Sequence, residues 1–327
     1  MVRFTVLASG SKGNSTVVSG GHTRILVDAG LSCRELFRRM KLAGEEPHTL
    51  DAIIVTHEHL DHIGGLAVTA RKLGIPVCFT QATHRAWMRW ITPRRHMTYA
   101  QWVEQCRQQA AARQAEALAA AVECECDEPE ADSVAGPATA TAQAGASDQN
   151  AAAEPRPDPA WLPSVQYFES GRPFQIGDIT VSPFTIPHDA ADPVGFVFHA
   201  EGVRMALATD LGYIPPNVKA QLKSVDLLFL ESNHDLEMLR DGPYPWSVKQ
   251  RVLSRVGHLS NEAAADFLET TYDGQAAYVI LGHLSESNNL PDLARVAAER
   301  ALSERPSLLA NRLMLATQHE PLPPISF

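Results

Sequence analysis

The chain has 327 residues, 45% of them hydrophobic, and a formal charge of −10, which permits a substantial core in one large domain or two ordinary ones. No apolar run is long enough to cross a bilayer, the first ten residues lack the features of a secretory leader, and five scattered cysteines read as ordinary thiols rather than a disulfide or zinc framework. The acidity is local: residues 101–160 hold eleven acidic and three basic side chains, against 27 and 25 elsewhere, so net charge says little about partners of the remainder. A cytoplasmic protein without a membrane partner is the expectation, and oligomeric state stays open.

In chain order, Arg3–Ala8 reads as a strand, followed by the turn-forming cluster Ser9–Ser15. Val17-Val18 and Arg24–Val27 form a hairpin across Gly20-Gly21, and Ala52–Val55 is a buried strand that delivers a histidine-rich run. Gly64-Gly65 precedes a helix ending near Gly74, and Val77–Phe79 is another strand. From residue 92 to 163 the character changes. Gln101–Val122 has helical composition, whereas Cys124–Pro159 mixes acidic residues with Ala, Gly, Ser and Pro and has little to bury; a flexible insertion is expected. Strands resume at Val165–Phe168, Ile179–Val181, Gly195–His199, Val203–Thr209, Leu227–Leu230 and Ala277–Leu281. Helices are expected over Asn261–Thr270, capped by Ser260, and over Leu290–Leu302, begun by Asn289. The pattern is one α/β domain, residues 1–327, interrupted by 92–163.

The chemistry concentrates in Thr56-His57-Glu58-His59-Leu60-Asp61-His62. His57 and His59 lie two apart at a strand end and can point the same way, and Asp61 and His62 follow in the loop. Imidazole and carboxylate donors suit zinc, manganese or iron, and four donors in six residues can serve two adjacent ions. A polar loop that happens to be rich in histidine is the alternative; the strand before it and the Gly-Gly and helix after it argue against that.

The run resembles the His-x-His-x-Asp-His hallmark of the metallo-β-lactamase superfamily, and the similarity extends over the chain outside the insertion. Asp28 in Leu26–Gly30 matches the early strand-end aspartate that supports the metal loop; His188 in Ile186–Asp189, Asp210 in Ala208–Asp210 and His283 in Leu281–Ser285 match the later ligands. The resemblance implies a four-layer αβ/βα sandwich and two divalent ions, zinc or manganese. His57, His59 and His188 would hold one ion, Asp61, His62 and His283 the other, and Asp210 would be shared.

Substrate class rests on other residues. His258 in Gly257–Ala264 stands just before a helix and resembles the proton donor of the phosphodiesterase branch, with Glu231 in Leu230–Asp235 as its orienting partner. Asp61, Glu231 and His258 are the candidate catalytic residues; the bland alternative makes His258 a loop or capping histidine. His234 fits substrate contact and a plain polar loop equally well. The strings Ala8–Ser15, Ile186–Gly195, Glu231–Asp235, Gly257–Asn261 and Leu281–Ser285 together resemble the YycJ (WalJ) group, which implies 5′-to-3′ exonuclease action on double-stranded DNA; the long insertion departs from that group's compact pattern. Arg85, Arg89, Arg94, Arg95, Lys249, Arg251 and Arg255 could hold phosphates, as could amides of the Gly10–Ser15 turn. A small-molecule metallohydrolase acting on a cyclic phosphodiester, thioester or lactone is the second reading, and a non-catalytic nucleic-acid-binding protein the third.

Overall fold

The computed structural model describes residues 1–92, 158–303 and 311–327, with 103, 104 and 107. The chain divides into two compact units, Met1–Thr92 with Asp158–Phe327, and Pro93–Pro157. Of the second unit only the three residues at 103, 104 and 107 are described, all helical; the rest of the expected Gln101–Val122 helix and residues 124–157 of the stretch after it lie outside the described residues. Asp158–Pro163, which composition assigned to the insertion, pack on the first unit: Leu162 is buried, and Arg71 donates to the carbonyls of Pro159 and Trp161.

Alternation builds the first unit. Strands β1 (Arg3–Ala8), β2 (Ser15–Ser19), β3 (Arg24–Val27), β4 (Ala52–Ile54), β5 (Val77–Phe79) and β6 (Val165–Tyr167) form one sheet. A second contains β7 (Phe174–Ile176), β8 (Ile179–Thr185), β9 (Val194–Ala200), β10 (Val203–Ala208), β11 (Leu227–Glu231), β12 (Tyr278–Gly282) and β13 (Arg312–Leu315). The short β14 (Ile325–Ser326) returns to the edge of β1. Along a strand, successive side chains face opposite ways. Ile25, Val27, Ile54, Leu227 and Phe229 thus enter the core between the sheets, with Phe4, Phe196 and Phe198. Their neighbours Leu26 and Ile53 face the helices Cys33–Leu42, Leu66–Leu73 and Gln81–Ile91, where Leu36, Met40, Leu66 and Trp87 cover them. Leu228 and Leu230 face the other way, against Phe267 and Leu268 of Asn261–Thr270 and Ala294 and Ala298 of Pro291–Ser303. The result is the expected four layers, helices outside two sheets.

Local signals explain the helix ends. Ser32, Thr80 and Ser260 each accept a bond from the backbone amide three residues on, and Gly74 ends its helix in the left-handed conformation. Two cysteines, Cys33 and Cys78, are described, and both are free and buried. Among the described residues no helix is long and apolar enough to cross a membrane.

Candidate metal centre

Topology sets the site. β3 pairs in parallel with β4, and β10, β11 and β12 run parallel to one another, so their carboxyl ends open on one edge, where the connecting loops can converge on a ligand. Asp28 follows β3, His57–His62 follow β4, Asp210 follows β10, Glu231 ends β11, and His283 follows β12. His188 stands in the loop between β8 and β9. One detail differs from expectation: Asp61 and His62 lie not in open loop but in the helical turn Leu60–Ile63, which swings both toward the strand ends.

Among the described residues the donors converge in four overlapping groups, two of them His57, His62 and Asp210, and Asp210, Glu231, His258 and His283. Nitrogens of His57, His59 and His188 lie within 4.8 Å of one another, as do donors of Asp61, His62 and His283. Asp210 adjoins both: its oxygens are 3.4 Å from His62 Nε2, 3.5 Å from His283 Nε2 and 3.9 Å from His188 Nε2. His188 Nε2 is 3.2 Å from His59 Nδ1. His57 Nε2 and Asp210 Oδ2 are buried without a hydrogen-bond partner, a costly arrangement that coordination would satisfy. Imidazole and carboxylate donors with orphaned atoms at their centre fit divalent ions.

Hydrogen bonds fix which ring nitrogen faces inward. Thr56 Oγ1 donates to Asp28 Oδ2 at 2.8 Å and in turn accepts from His57 Nδ1 at 3.0 Å. His62 Nδ1 donates to the same aspartate oxygen at 2.8 Å, and the Thr56 amide to Asp28 Oδ1. His188 Nδ1 donates to the Gly257 carbonyl at 3.1 Å, and His283 Nδ1 to Glu231 Oε1 at 3.1 Å. In all four histidines Nδ1 is engaged in this way and Nε2 turns toward the donor set, an arrangement that holds the rings in one orientation. Asp28 thus holds the His62 ring directly and the His57 ring through Thr56.

Backbone strain is confined here to a few places. Asp28, Asp210 and His283 adopt left-handed φ of 60°, 62° and 55°, each costing about 1–3 kcal/mol and sustained by surrounding bonds. The His283 amide donates to Ser9 Oγ, and the Leu211 amide after Asp210 donates to Glu231 Oε2. At Gly30 a Cβ would stand 1.6 Å from the Asp61 carbonyl oxygen, so only glycine lets the loop after β3 press on the metal loop.

Charge balance reinforces the geometry. Burial and the neighbouring imidazoles of His62, His188 and His59 hold His57 well below the usual histidine range. Burial opposes charge on His283 too, yet the carboxylates of Asp210, Asp61 and Glu231 overcome it and push that ring up to about 10. The carboxylates therefore demand positive charge, which a divalent ion supplies.

Beside the ligands, His258 Nδ1 donates to Glu231 Oε1 at 2.8 Å and lies 3.9 Å from Asp210. Glu231 is fully buried and accepts from His258 and His283 through one oxygen. His258 keeps its side chain 21% exposed, so its other ring nitrogen is open to an incoming group. His234 does not face such a group: it is 1% exposed, its Nδ1 lacks a partner, and burial pushes it down to about 4.

The basic residues gather less than expected. Arg251 pairs with Asp189, Lys249 donates to the Arg240 carbonyl, and Arg255 lies over the Tyr213 ring. Arg85 and Arg89 are exposed, Arg85 lining a cavity of about 620 Å³ with Tyr167 and Arg172; Arg94 and Arg95 lie outside the described residues. Nor is the Gly10–Ser15 turn a phosphate cradle. Its Gly10, Lys12, Gly13 and Asn14 amides already donate to Asn14 Oδ1, Gln318 Oε1, the Gly10 carbonyl and the Asp61 carbonyl. Asn14, read only as a turn residue, instead touches the donor set: its Nδ2 is 3.1 Å from Asp61 Oδ2. Its place before β2 carried no local signal of that contact.

Comparison with known proteins agrees with this geometry. The profile of the metallo-β-lactamase superfamily matches residues 8–283. Exodeoxyribonuclease YycJ of Bacillus anthracis is 33% identical over 306 residues, 93% of this chain and 90% of that protein. Exodeoxyribonuclease WalJ of Streptococcus pneumoniae serotype 2 is 29% identical over 302 residues, 92% and 88% of the two chains. Among solved structures, the metallo-β-lactamase fold protein YhfI of Bacillus subtilis aligns with a TM-score of 0.58 at 13% identity, covering 98% of this chain and 99% of that one, which speaks for the fold alone. The chain is a metal-dependent hydrolase that belongs to the metallo-β-lactamase superfamily and, within it, to the YycJ/WalJ family.

Proposed function

We propose that this protein is a two-metal phosphodiesterase that removes nucleotides from the 5′ ends of double-stranded DNA, with the unit Pro93–Pro157 as an insertion into the sequence of its one catalytic domain. His57, His59 and His188 would hold one divalent ion, Asp61, His62 and His283 the other, and Asp210 both, with zinc or manganese as the metal. Two such ions would supply an activated water at neutral pH and neutralise charge on a phosphate.

The observation that carries the phosphodiester reading is the pair His258–Glu231, at 2.8 Å beside Asp210. Glu231 fixes the His258 ring through Nδ1, so a proton on the opposite nitrogen is aimed outward. Cleaving a phosphodiester expels an alkoxide, a poor leaving group without a proton, and an oriented imidazole can provide it. Glu231 is never free to wander: its second oxygen is tied to the Leu211 amide. Asp61, with its side chain 21% exposed, lies at the open side of the donor set. The names of the relatives, both exodeoxyribonucleases, favour DNA over the small-molecule substrates that the same donor set can serve.

The test is digestion of duplex DNA labelled at either 5′ or 3′ end, alongside single-stranded DNA and RNA, with defined metals. Stepwise release from the 5′-labelled duplex is expected, with His258→Ala slower by about 10²–10⁴-fold at unchanged metal content. Hydrolysis of a cyclic phosphodiester, thioester or lactone without any action on nucleic acid would favour the small-molecule reading.

A further inference from the structure

The turn Gly10–Asn14 brings an uncharged side chain against one half of the donor set. Asn14 is buried, and its carboxamide has only one consistent orientation. Its Oδ1 accepts from the Gly10 amide at 2.8 Å, while Nδ2 donates to the Gly10 carbonyl at 3.1 Å. The second Nδ2 hydrogen then points between two acceptors of the same donor group, Asp61 Oδ2 at 3.1 Å and His62 Nε2 at 3.0 Å. The backbone locks the pair further: the Asn14 amide donates to the Asp61 carbonyl at 2.7 Å, and the Asn14 carbonyl accepts from the Gly30 amide.

Asp61 needs such a hold. It sits on a single helical turn with its side chain partly exposed, and among the described residues its carboxylate otherwise touches only His62 and His283, the other donors of its group. Among the described residues Asn14 is the one hydrogen-bond donor to that carboxylate that is not itself a ligand. The ligands of the other group have separate braces, Thr56 for His57 and the Gly257 carbonyl for His188.

Resting on the two-ion reading, we infer that Asn14 is a positioning residue for one ion only: it orients Asp61 and so sets the affinity of the ion held by Asp61, His62 and His283. A hydrogen bond to a ligand carboxylate fixes its direction at the metal, and losing such a partner typically costs about 10–100-fold in metal affinity.

The test titrates the metal-free full chain with manganese or zinc against a chromogenic chelator, resolving the two affinities. In Asn14→Ala one ion should bind about 10–100-fold more weakly, with the other unchanged. Gln318→Ala is the control for a loosened turn, because Gln318 braces the same turn through Lys12 and Gly13 without touching Asp61; it should leave both affinities as in the wild type. Should Asn14→Ala not fold, by circular dichroism, Asn14→Ser makes the same comparison with a side chain too short to reach Asp61. Wild-type affinity for both ions in the Asn14 variant, equal weakening of both, or the same loss in Gln318→Ala overturns the inference. A wild-type stoichiometry of one ion overturns the two-ion reading and this inference with it, whereas the other outcomes leave that reading standing.

Discussion

The two sheets contribute to the site in opposite ways. The first supplies four donors from a single run after β4, His57, His59, Asp61 and His62, where backbone geometry places them almost automatically. The second supplies His188, Asp210 and His283 from three separate connections, the latter two in left-handed conformations. Contiguity makes the first half cheap to assemble. The second half depends on strand register, on burial, and on bonds from Ser9 and Glu231 that hold strained backbone in place.

The sharpest way to break that contrast is Asp210→Ala. Asp210 adjoins both donor groups, so its loss should strip both ions and abolish turnover, by more than the 10–100-fold expected for an outer partner. His59→Ala, confined to one group, should retain the other ion. Metal content by mass spectrometry of the folded proteins separates the two results; equal residual metal in both would erase the distinction.

Asp28→Ala comes next, because it removes the brace of His57 and His62 together. Metal affinity should fall about 10–100-fold, measured by chelator competition. Unchanged affinity would mean that the contiguous run holds its own rings.

A stability test probes the packing under the run. Gly30→Ala would drive a Cβ into the Asp61 carbonyl oxygen, and overpacking of this kind costs about 1–3 kcal/mol, read as a lower urea midpoint. A full-stability variant would show that the loop after β3 has room to yield.

The last test concerns pH. His234 is pushed down to about 4: burial favours its neutral form, His258 adds to that, and Glu231 and Asp235 oppose it. The unfolded ring titrates near the ordinary 6.5, so below that value the unfolded state binds the extra proton. Stability is then fully present above about 6.5 and is lost as pH falls toward about 4. In His234→Leu this part of the acid sensitivity should disappear from urea midpoints taken between pH 7 and pH 4.5; an identical pH slope would contradict it.

Much of this was readable before any coordinates. The continuous apolar runs of β3, β4 and β11 mark strands buried on both faces, and Asp28, Asp210 and His283 follow the strands expected to carry them. Asp61 and His62 were harder, since four residues of helix after a strand give no periodicity. The helices Cys33–Leu42 and Gln81–Ile91 have no place in the sequence reading, although each carries an amphipathic pattern and a capping Ser32 or Thr80. Asn14 was invisible as a site residue for a different reason: its contact with Asp61 spans 47 positions, and only tertiary packing of one loop on another creates it. Arg251, Lys249 and Arg255 misled in the opposite direction, as charges already engaged by Asp189, the Arg240 carbonyl and the Tyr213 ring.

Metal dependence of DNA hydrolysis tests the central claim most directly. The metal-free protein, titrated with manganese or zinc, should regain 5′-end release from duplex DNA only as it approaches two ions per chain. Full activity in the metal-free protein, or full activity with one ion bound, would contradict a two-metal phosphodiesterase.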